Sequence, residues 1–589
     1  MNSSQPKSVL VELKELNEDN IKLSDLDRLP TMTGWFGPIL LVKLLWRVIV
    51  SDVFGQYADR RLMEAALDPA SKKDLVERAK IGNAADAEGP VWIDYASDLG
   101  DGFDATYAIA YLLAQKNLSV GGHELPRGSV LVLGGDEVYP TAVRDDYKVK
   151  MRLPYDLAWP VPKGEQSTPM YLLPGNHDWY DGLVNFLSIF CREKSTKIGG
   201  WKTDQRRSYF AVEVAKNWWV WGIDIALVRD MDQPQADYFV AIAEKMPKCG
   251  NIILCSAEPG WYKAEGKGDA YRTLSYAAQI AKNAKNDLRI PIVLSGDSHH
   301  YARYVGDGTH YITSGGGGAF LHGTLELEPN IHAKWLQSEK EELTLAHCHP
   351  SKDVSKRLLE GNWNFGIYNK SLTRTLAGLY LGCAFILSNF CRIDLGIAIF
   401  LLLLSSLWGY ARYQEGSEKN TAGPSIAHAV AHFAVILAFS AVGAWLNRQL
   451  GLDTWHWSVR LIALGIPVGL LGPWLAGKIY GLSLLIGCKY FGIGHNDAFS
   501  SMQLDSYRHF LRIRLEGDDA TVYVVKLDKV PSRKQWKLNP ERQANPTASV
   551  FIADPALQPE LLEEPILIHA RATTATSEVK TPDEVPAKK

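Results

Sequence analysis

The sequence lacks three features that would place it in common classes of protein. Its seven cysteines have no paired spacing, which argues against a disulfide-stabilised secreted domain and fits a reducing compartment. It has no excess of basic residues, with 63 Lys and Arg against 66 Asp and Glu, so we expect no nucleic-acid binding. Residues 1–7 contain no apolar core, and we therefore expect no signal peptide.

Charged residues are scarce between residues 370 and 492. This region contains four apolar segments, each near the roughly 17–25 residues that cross a bilayer as a helix, at 375–390, 395–408, 426–446 and 459–475. Tryptophans cluster at the segment ends, as they do at membrane interfaces. The pattern predicts a multi-pass integral membrane protein with an all-α transmembrane bundle of about four helices; a further segment at 479–491 is too short to count as a span.

Basic residues in the short flanks of these segments predict the orientation. Lys370 and Arg374 precede the first span, and Lys489 follows the last. Because basic residues concentrate on the cytoplasmic side, both ends of the bundle are expected to face the cytoplasm, in a plasma (inner) membrane.

Three apolar segments end in a glycine that is followed at once by polar residues. Each reads as a buried strand, and the motifs that follow are Gly135-Asp136, Gly175-Asn176-His177-Asp178 and Gly296-Asp297-Ser298-His299. In an α/β sheet the carboxyl ends of the strands form the crevice in which ligands bind. Oxygen and nitrogen ligands that converge there suit divalent metal ions.

These motifs resemble those of the calcineurin-like metallophosphoesterase family, which are a D-x-H, a GD, a GNHD, a later His and a GHxH. The resemblance covers roughly residues 88–325, in which the GD and the GNHD are complete. Three positions differ from the family pattern. Gly100 stands after Asp98 where the family has histidine, Asp297 replaces the first histidine of GHxH, and 256–259 lack the later histidine.

The resemblance implies a four-layer αββα sandwich that binds two divalent metal ions, Mn, Fe, Mg or Zn. Asp136 would bridge both ions, Asp98 and His299 would complete one site, and Asn176 and Asp297 would complete the other. Asp101 and Glu258 lie close enough in sequence to stand in for missing histidines. Such an oxygen-rich set shifts the preference from zinc toward manganese, magnesium or iron.

The resemblance also implies the chemistry. A metal-bound hydroxide would attack the phosphorus of a phosphate ester while both ions stabilise the charge. His177, held by Asp178, would protonate the leaving oxygen or steady the phosphoryl group.

The segments outside the motifs complete the expected organisation. We expect a flexible N-terminal tail over 1–34, an amphipathic helical segment over 35–86, the metallophosphoesterase domain over 87–369 and the membrane bundle over 370–492. A β-hairpin over 493–530 should return to the phosphoesterase domain, because an isolated hairpin is marginally stable, and a disordered tail should follow over 531–589. In the helical segment, Lys43 and Arg47 share a stripe that could face lipid phosphates, or could be the solvated side of a core-packing helix.

The function predicted from the sequence is that of a membrane-anchored, metal-dependent phosphoesterase. Its partners would be the membrane and a phosphoester substrate, for which a lipid-linked phosphate is one candidate. The alternative is a non-catalytic membrane scaffold or sensor, in which a degenerate phosphoesterase fold binds a ligand or partner. The substituted histidine positions are the feature on which the two interpretations divide.

Overall fold

The structure is a computed structural model. It describes residues 16–54, 61, 89–161, 167–192, 194–225, 230–263, 269–284, 287–306, 308–333, 341–390, 392–416 and 419–569.

The strands, in chain order, are β1 (Val91–Ala96), β2 (Asn117–Val120), β3 (His123–Pro126), β4 (Val130–Leu133), β5 (Thr168–Leu172), β6 (Thr196–Ile198), β7 (Trp201–Thr203), β8 (Phe210–Ala215), β9 (Trp218–Ile223), β10 (Asn251–Ser256), β11 (Arg289–Ser295), β12 (Tyr301–Gly306), β13 (Thr309–Ser314), β14 (Asn330–Ala333), β15 (Glu341–His349), β16 (Arg508–Glu516), β17 (Asp519–Leu527), β18 (Trp536–Leu538), β19 (Phe551–Ala553), β20 (Glu560–Leu561) and β21 (Ile566–His569).

The α-helices, in the same order, are α1 (Pro38–Phe54), α2 (Phe103–Ala114), α3 (Arg144–Asp146), α4 (Leu153–Ala158), α5 (Asn176–Trp179), α6 (Val184–Phe190), α7 (Gln233–Ala243), α8 (Asp269–Asn283), α9 (Lys352–Leu358), α10 (Phe365–Tyr368), α11 (Lys370–Phe390), α12 (Ile393–Glu415), α13 (Ala422–Gln449), α14 (Trp457–Ile486) and α15 (His495–Met502).

Two mixed sheets form the centre of the domain that carries the sequence motifs. The first has the order β20-β17-β16-β1-β4-β5-β7-β6, with β21 beside β17, and the second has the order β14-β15-β12-β13-β11-β10-β9-β8. In the first sheet β1, β4 and β5 are parallel, and in the second β9, β10, β11 and β13 are parallel. The loops that follow the parallel strands carry all three sequence motifs.

Hydrophobic burial arranges these sheets in four layers. Apolar side chains of both sheets, such as Ile93, Val132 and Ile253, form one buried cluster between them. Helix α2 packs against the outer face of the first sheet, and α7 and α8 pack against the outer face of the second. Strand β4 is buried along its whole length, which explains its uninterrupted apolar sequence. The expected αββα sandwich is therefore confirmed.

The chain returns to this domain after the membrane helices. Strand β16 pairs antiparallel with β1, from Val91 opposite Leu515 to Tyr95 opposite Leu511, and β17 pairs with β16. The hairpin is therefore a part of the first sheet, and the membrane helices are an insertion between β15 and β16.

The prediction of a disordered tail from residue 531 is wrong for the described residues up to 569. Four short strands, β18 to β21, lie in this region, and Trp536 and Phe551 are buried. The Trp536 indole donates to Asp104 at 3.0 Å, and the Arg533 guanidinium forms an ion pair with the same carboxylate at 2.9 Å. Isolated apolar side chains among Pro, Lys and Glu are sufficient to dock this segment on α2. Residues 570–589 lie outside the described residues.

The expected flexible N-terminal tail is also ordered over its described part, residues 16–34. Leu26 and Leu29 are buried in the core beneath α2. The amide of Phe103 donates to the carbonyl of Pro30 at 3.0 Å, and Arg533 donates to the carbonyl of Leu29 at 3.1 Å. The two ends of the described chain therefore hold each other on the surface of the domain.

Helix α1 exposes an apolar face. Ile39, Val42, Leu45 and Trp46 are each at least 62% exposed. Arg47 lies on the domain side, where it opposes the rise in pKa that burial causes in the carboxyls of Asp146 and Asp181. Lys43 is exposed beside these apolar side chains. The interfacial position of the helix stays a prediction.

Four described helices are long and apolar enough to cross a membrane: Lys370–Phe390, Ile393–Glu415, Ala422–Gln449 and Trp457–Phe491. The last joins α14 to a π-helical turn, so the short segment at 479–491 extends the fourth helix and is no separate span. The predicted bundle of about four helices is confirmed.

Candidate metal centre

Three aspartates at strand ends adopt an unusual backbone conformation. Asp98 follows β1, Asp136 follows β4 and Asp297 follows β11, and their φ angles are +61°, +52° and +64°. Residues with a Cβ atom rarely adopt positive φ, and where they do the strain commonly marks a functional site. The loops of both sheets thus turn sharply at the same edge of the domain and direct these carboxylates to one place.

A tyrosine hydroxyl lies at the centre of the site. Tyr139 Oη is 2.9 Å from Asp98 Oδ1, 3.0 Å from Asp136 Oδ2 and 2.9 Å from His299 Nε2. One hydroxyl proton can serve only one of these three acceptors at a time. Two carboxylate oxygens and one imidazole nitrogen thus surround this hydroxyl, and all four atoms are of kinds that bind metal ions.

Sequence reasoning missed Tyr139. It follows Asp136 by three residues in the same loop after β4. Its position in the loop of a recognised motif is the sequence feature that could have identified it.

His299 is oriented by its second ring nitrogen. Its Nδ1 lies 2.7 Å from the carbonyl oxygen of Phe320, which can only accept, so Nδ1 carries the proton. Nε2 therefore presents its lone pair to the Tyr139 hydroxyl, and Asp98 Oδ1 lies 3.6 Å away. A backbone carbonyl that fixes the tautomer in this way is typical of histidines that bind metals.

The GNHD motif contributes from the start of α5. The amide of His177 donates to Asp136 Oδ1 at 2.8 Å. The Oδ1 atom of Asn176 is buried and has no hydrogen-bond partner among the described residues. A Cβ atom at Gly175 would lie 2.0 Å from Asp136 Oδ1, so only glycine admits the bridging carboxylate here. A buried amide oxygen without a partner is a group that a bound cation would satisfy.

Asp178 does not hold His177, and that prediction is wrong. Asp178 Oδ2 accepts from the amides of Gly175 and Glu137, at 2.9 and 3.1 Å, and Oδ1 accepts from the Tyr147 hydroxyl. His177 Nδ1 instead lies 2.9 Å from the carbonyl oxygen of Pro140. Asp178 is therefore a positioning residue that joins the two loops after β4 and β5.

Asp101 is not a substitute ligand, contrary to prediction. One of its oxygens accepts from the amide of Thr33 at 3.1 Å and the other from the amide of Phe320 at 3.3 Å. The carboxylate thus fastens the N-terminal segment to the domain. Glu258 follows β10 at the edge that bears the site, and its carbonyl oxygen accepts from Ser256 Oγ at 2.9 Å.

Asp297 lies directly against Asp98. Its amide donates to both Asp98 oxygens at 3.1 Å. Burial raises the pKa of Asp98 to about 7, and the charge of Asp297 adds to this rise. Burial also raises the pKa of Asp136 well above its ordinary value, with further contributions from Asp98, Asp178 and Asp297. Carboxylates crowded in this way are stabilised as anions by a cation bound among them.

The imidazoles of the site are uncharged and do not offset the negative charge of the carboxylates. Burial lowers the pKa of His177 to about 4 and that of His299 well below its ordinary value. Both rings are therefore neutral near pH 7, and neutral imidazole is the form that binds a metal.

The side chains at the site supply oxygen donors and one imidazole nitrogen. Within the described part of the chain, no group of three or more His, Cys, Asp or Glu side chains is arranged to hold a metal. Tyr139 is the further group that contacts Asp98, Asp136 and His299. The set that the resemblance implies for a second ion, Asp136, Asn176 and Asp297, supplies oxygen donors only.

Comparison with known proteins agrees with the motifs. Residues 91–301 match the family model for calcineurin-like phosphoesterases. No curated protein matches the chain. Among solved structures, the chain is similar to "GAP50 the anchor in the inner membrane complex of Plasmodium", at 14% identity and a TM-score of 0.31, over 40% of this chain and 74% of that one. The protein therefore combines a calcineurin-like phosphoesterase domain with four helices that are able to cross a membrane.

Proposed function

We propose that this protein is a membrane-anchored, metal-dependent phosphoesterase that hydrolyses a phosphate ester. The observation that carries the proposal is the convergence of Asp98, Asp136, Tyr139 and His299 at the strand ends of a domain that matches the calcineurin-like phosphoesterase model. Buried carboxylates with raised pKa values beside a ligand crevice are characteristic of functional sites.

The proposed site would hold two divalent ions. Asp98, Tyr139 and His299 would hold one, Asn176 and Asp297 the other, and Asp136 would contact both. The ions would supply water activation and neutralise charge on the phosphoryl group. Mn, Fe or Mg suits this oxygen-rich set better than Zn.

His177 is the residue that we propose acts on the substrate. Its ring is fixed by the Pro140 carbonyl and its amide by Asp136. Burial keeps the imidazole neutral by lowering its pKa to about 4. An anionic phosphoryl group nearby would raise that pKa again, because it stabilises the imidazolium. His177 could then donate a proton to the leaving oxygen when substrate is bound.

A lipid-linked phosphate is the substrate class we favour. The Trp35 indole lies 5.6 Å from the His177 ring and 6.1 Å from the Tyr139 ring, measured between centroids. The next residue, Phe36, packs 5.7 Å from Tyr480 of the fourth membrane helix. The site is thus linked through Trp35 and Phe36 to a helix that is able to cross a membrane, which supports a substrate at the bilayer surface. The basic residues that flank the spans support a cytoplasmic domain on a plasma membrane.

Replacing the bridging carboxylate tests the proposal. Asp136→Asn should lower kcat/KM by more than about a hundredfold, since even indirect changes around a metal cost about 10–100-fold. Metal content would be measured on the purified full chain, and hydrolysis would be measured on p-nitrophenyl phosphate and on phosphatidic acid in vesicles. Asp237→Asn, at an exposed position on α7, is the matched control. An Asp136→Asn variant with full activity, or a wild type without metal above background, would refute the proposal.

The histidine-poor second site favours one other function, that of a non-catalytic sensor. Its three oxygen donors could bind a phosphorylated ligand through a single cation without turning it over. Calorimetry with inorganic phosphate in the presence of Mn²⁺ distinguishes the two functions. Binding without hydrolysis of any substrate in the panel would favour the sensor.

A further inference from the structure

Two adjoining cavities lie where the first and fourth membrane helices meet the phosphoesterase domain. The cavity lined by Lys370, Arg374 and Lys478, here called the lower cavity, has a volume of about 360 Å³. The cavity lined by Lys356, Arg357 and Lys489, here called the upper cavity, has a volume of about 510 Å³. Trp363 lines both. None of the candidate metal ligands lines either cavity. They form a cleft, here called the interfacial cleft, that the proposed reaction does not use.

The lower cavity is cationic. Three basic residues, Lys370, Arg374 and Lys478, line it together with no acidic residue. Lys370 and Arg374 are exposed one turn apart at the start of α11, and neither forms an ion pair with any described residue. The upper cavity is lined by three more basic residues, Lys356, Arg357 and Lys489, and by two acidic residues, Asp353 and Glu360.

The cleft changes character along α14. Trp474, also in the lower lining, lies one helical turn from Lys478, about 6 Å along α14. It is 60% exposed, and Leu470, one further turn into the membrane, is 76% exposed. Cations thus lie above exposed apolar side chains, with a tryptophan at the boundary as at membrane interfaces.

The walls of the cleft are held in place. The Lys478 ammonium donates to the Trp363 carbonyl at 2.8 Å and lies 4.8 Å from the centre of its ring. Behind them, a Cβ atom at Gly477 would come within 2.8 Å of Gly366 Cα, so α10 and α14 are in close backbone contact. A rigid cleft loses little freedom when it binds a ligand.

We propose that the interfacial cleft binds the headgroup of an anionic phospholipid from the surrounding bilayer. The lipid phosphate would lie between Lys370, Arg374 and Lys478, with its chains along Trp474 and Leu470. Basic pockets beside membrane helices recognise such headgroups by charge. A zwitterionic lipid carries its own cation beside the phosphate, so it would gain less binding free energy from the basic residues. The proposal concerns a bound lipid that is not the substrate, so it stands whether or not the chain is an enzyme.

Lipid retention tests this directly. The full chain in mild detergent would be titrated with phosphatidylglycerol and, separately, with phosphatidylcholine, and bound lipid would be counted by native mass spectrometry. Each juxtamembrane cation contributes about a fivefold change in affinity for an anionic surface. Lys370→Gln/Arg374→Gln should therefore weaken phosphatidylglycerol binding about 25-fold and leave phosphatidylcholine binding unchanged.

The matched control neutralises two exposed lysines at the opposite edge of the domain, Lys245→Gln/Lys248→Gln, and should bind as wild type. The charge-preserving Lys370→Arg/Arg374→Lys should also retain binding, which separates charge from folding. Equal affinity of the wild type for both lipids would overturn the proposal. So would phosphatidylglycerol binding by the neutralised variant at wild-type strength.

Discussion

The Arg512→Met variant tests whether the chain that follows the membrane helices stabilises the phosphoesterase domain. Arg512 in β16 donates to both oxygens of Asp94 in β1, at 2.6 and 3.1 Å, and to the Leu125 carbonyl at 2.8 Å. The two charged side chains are 0% and 2% exposed. Removing one partner leaves the other charge buried and unpaired, which costs about 3–5 kcal/mol.

The expected loss is large enough to measure by thermal unfolding. A change of 1 kcal/mol lowers Tm by roughly 2–4 °C in a large domain, so Arg512→Met should unfold about 6–20 °C below wild type. Tryptophan fluorescence of the detergent-solubilised chain would follow the transition. The double variant Asp94→Leu/Arg512→Met should recover much of the loss, because two apolar side chains leave no buried charge.

Arg514, two residues further along the same strand, supplies the control. Its guanidinium pairs with Glu516 at 2.6 Å, but the side chains are 32% and 56% exposed. Exposed pairs contribute about 0–1 kcal/mol, so Arg514→Met should unfold close to wild type. If Arg512→Met unfolded at the same temperature as Arg514→Met, the buried pair between β16 and β1 would not stabilise the domain.

Three further predictions follow from the site and the architecture. Asp297→Ala should reduce bound metal, measured by mass spectrometry of the purified protein, much more than His300→Ala; equal losses would mean that the motif is in the wrong register. Single cysteines placed at Ser351 and Ser532 should label from the same, cytoplasmic, side of sealed vesicles, and labelling from opposite sides would require an odd number of spans. Burial raises the pKa of Asp156 from 3.8 to about 6, so the native state holds this proton more tightly and loses stability as pH rises between those values. Asp156→Asn should remove that loss in thermal melts from pH 4 to neutral pH, and an unchanged pH dependence would exclude Asp156 as its source.

The sequence alone predicted the features that depend on neighbouring residues or on a sum along the chain. Hydropathy sums over neighbouring residues, so the four membrane helices were predictable from length and composition. Polar residues that come shortly after a buried strand are an equally local feature, and from it the sequence grouped Asp98, Asp136, Asn176 and His299 in one candidate site. The likeness of these motifs to calcineurin-like phosphoesterases agrees with the family model.

Only the tertiary structure decided which groups each polar side chain meets. Asp178 was assigned to the site by the GNHD motif and Asp101 by proximity in sequence, yet each accepts hydrogen bonds from backbone amides of another segment. Tyr139 reaches the centre because two sheets bring His299 and Asp98 to the same edge, a fact that no window of sequence contains. The docking of residues 533–569 on α2 has the same cause, since sparse apolar residues such as Trp536 stabilise a segment only when a surface elsewhere in the chain can bury them.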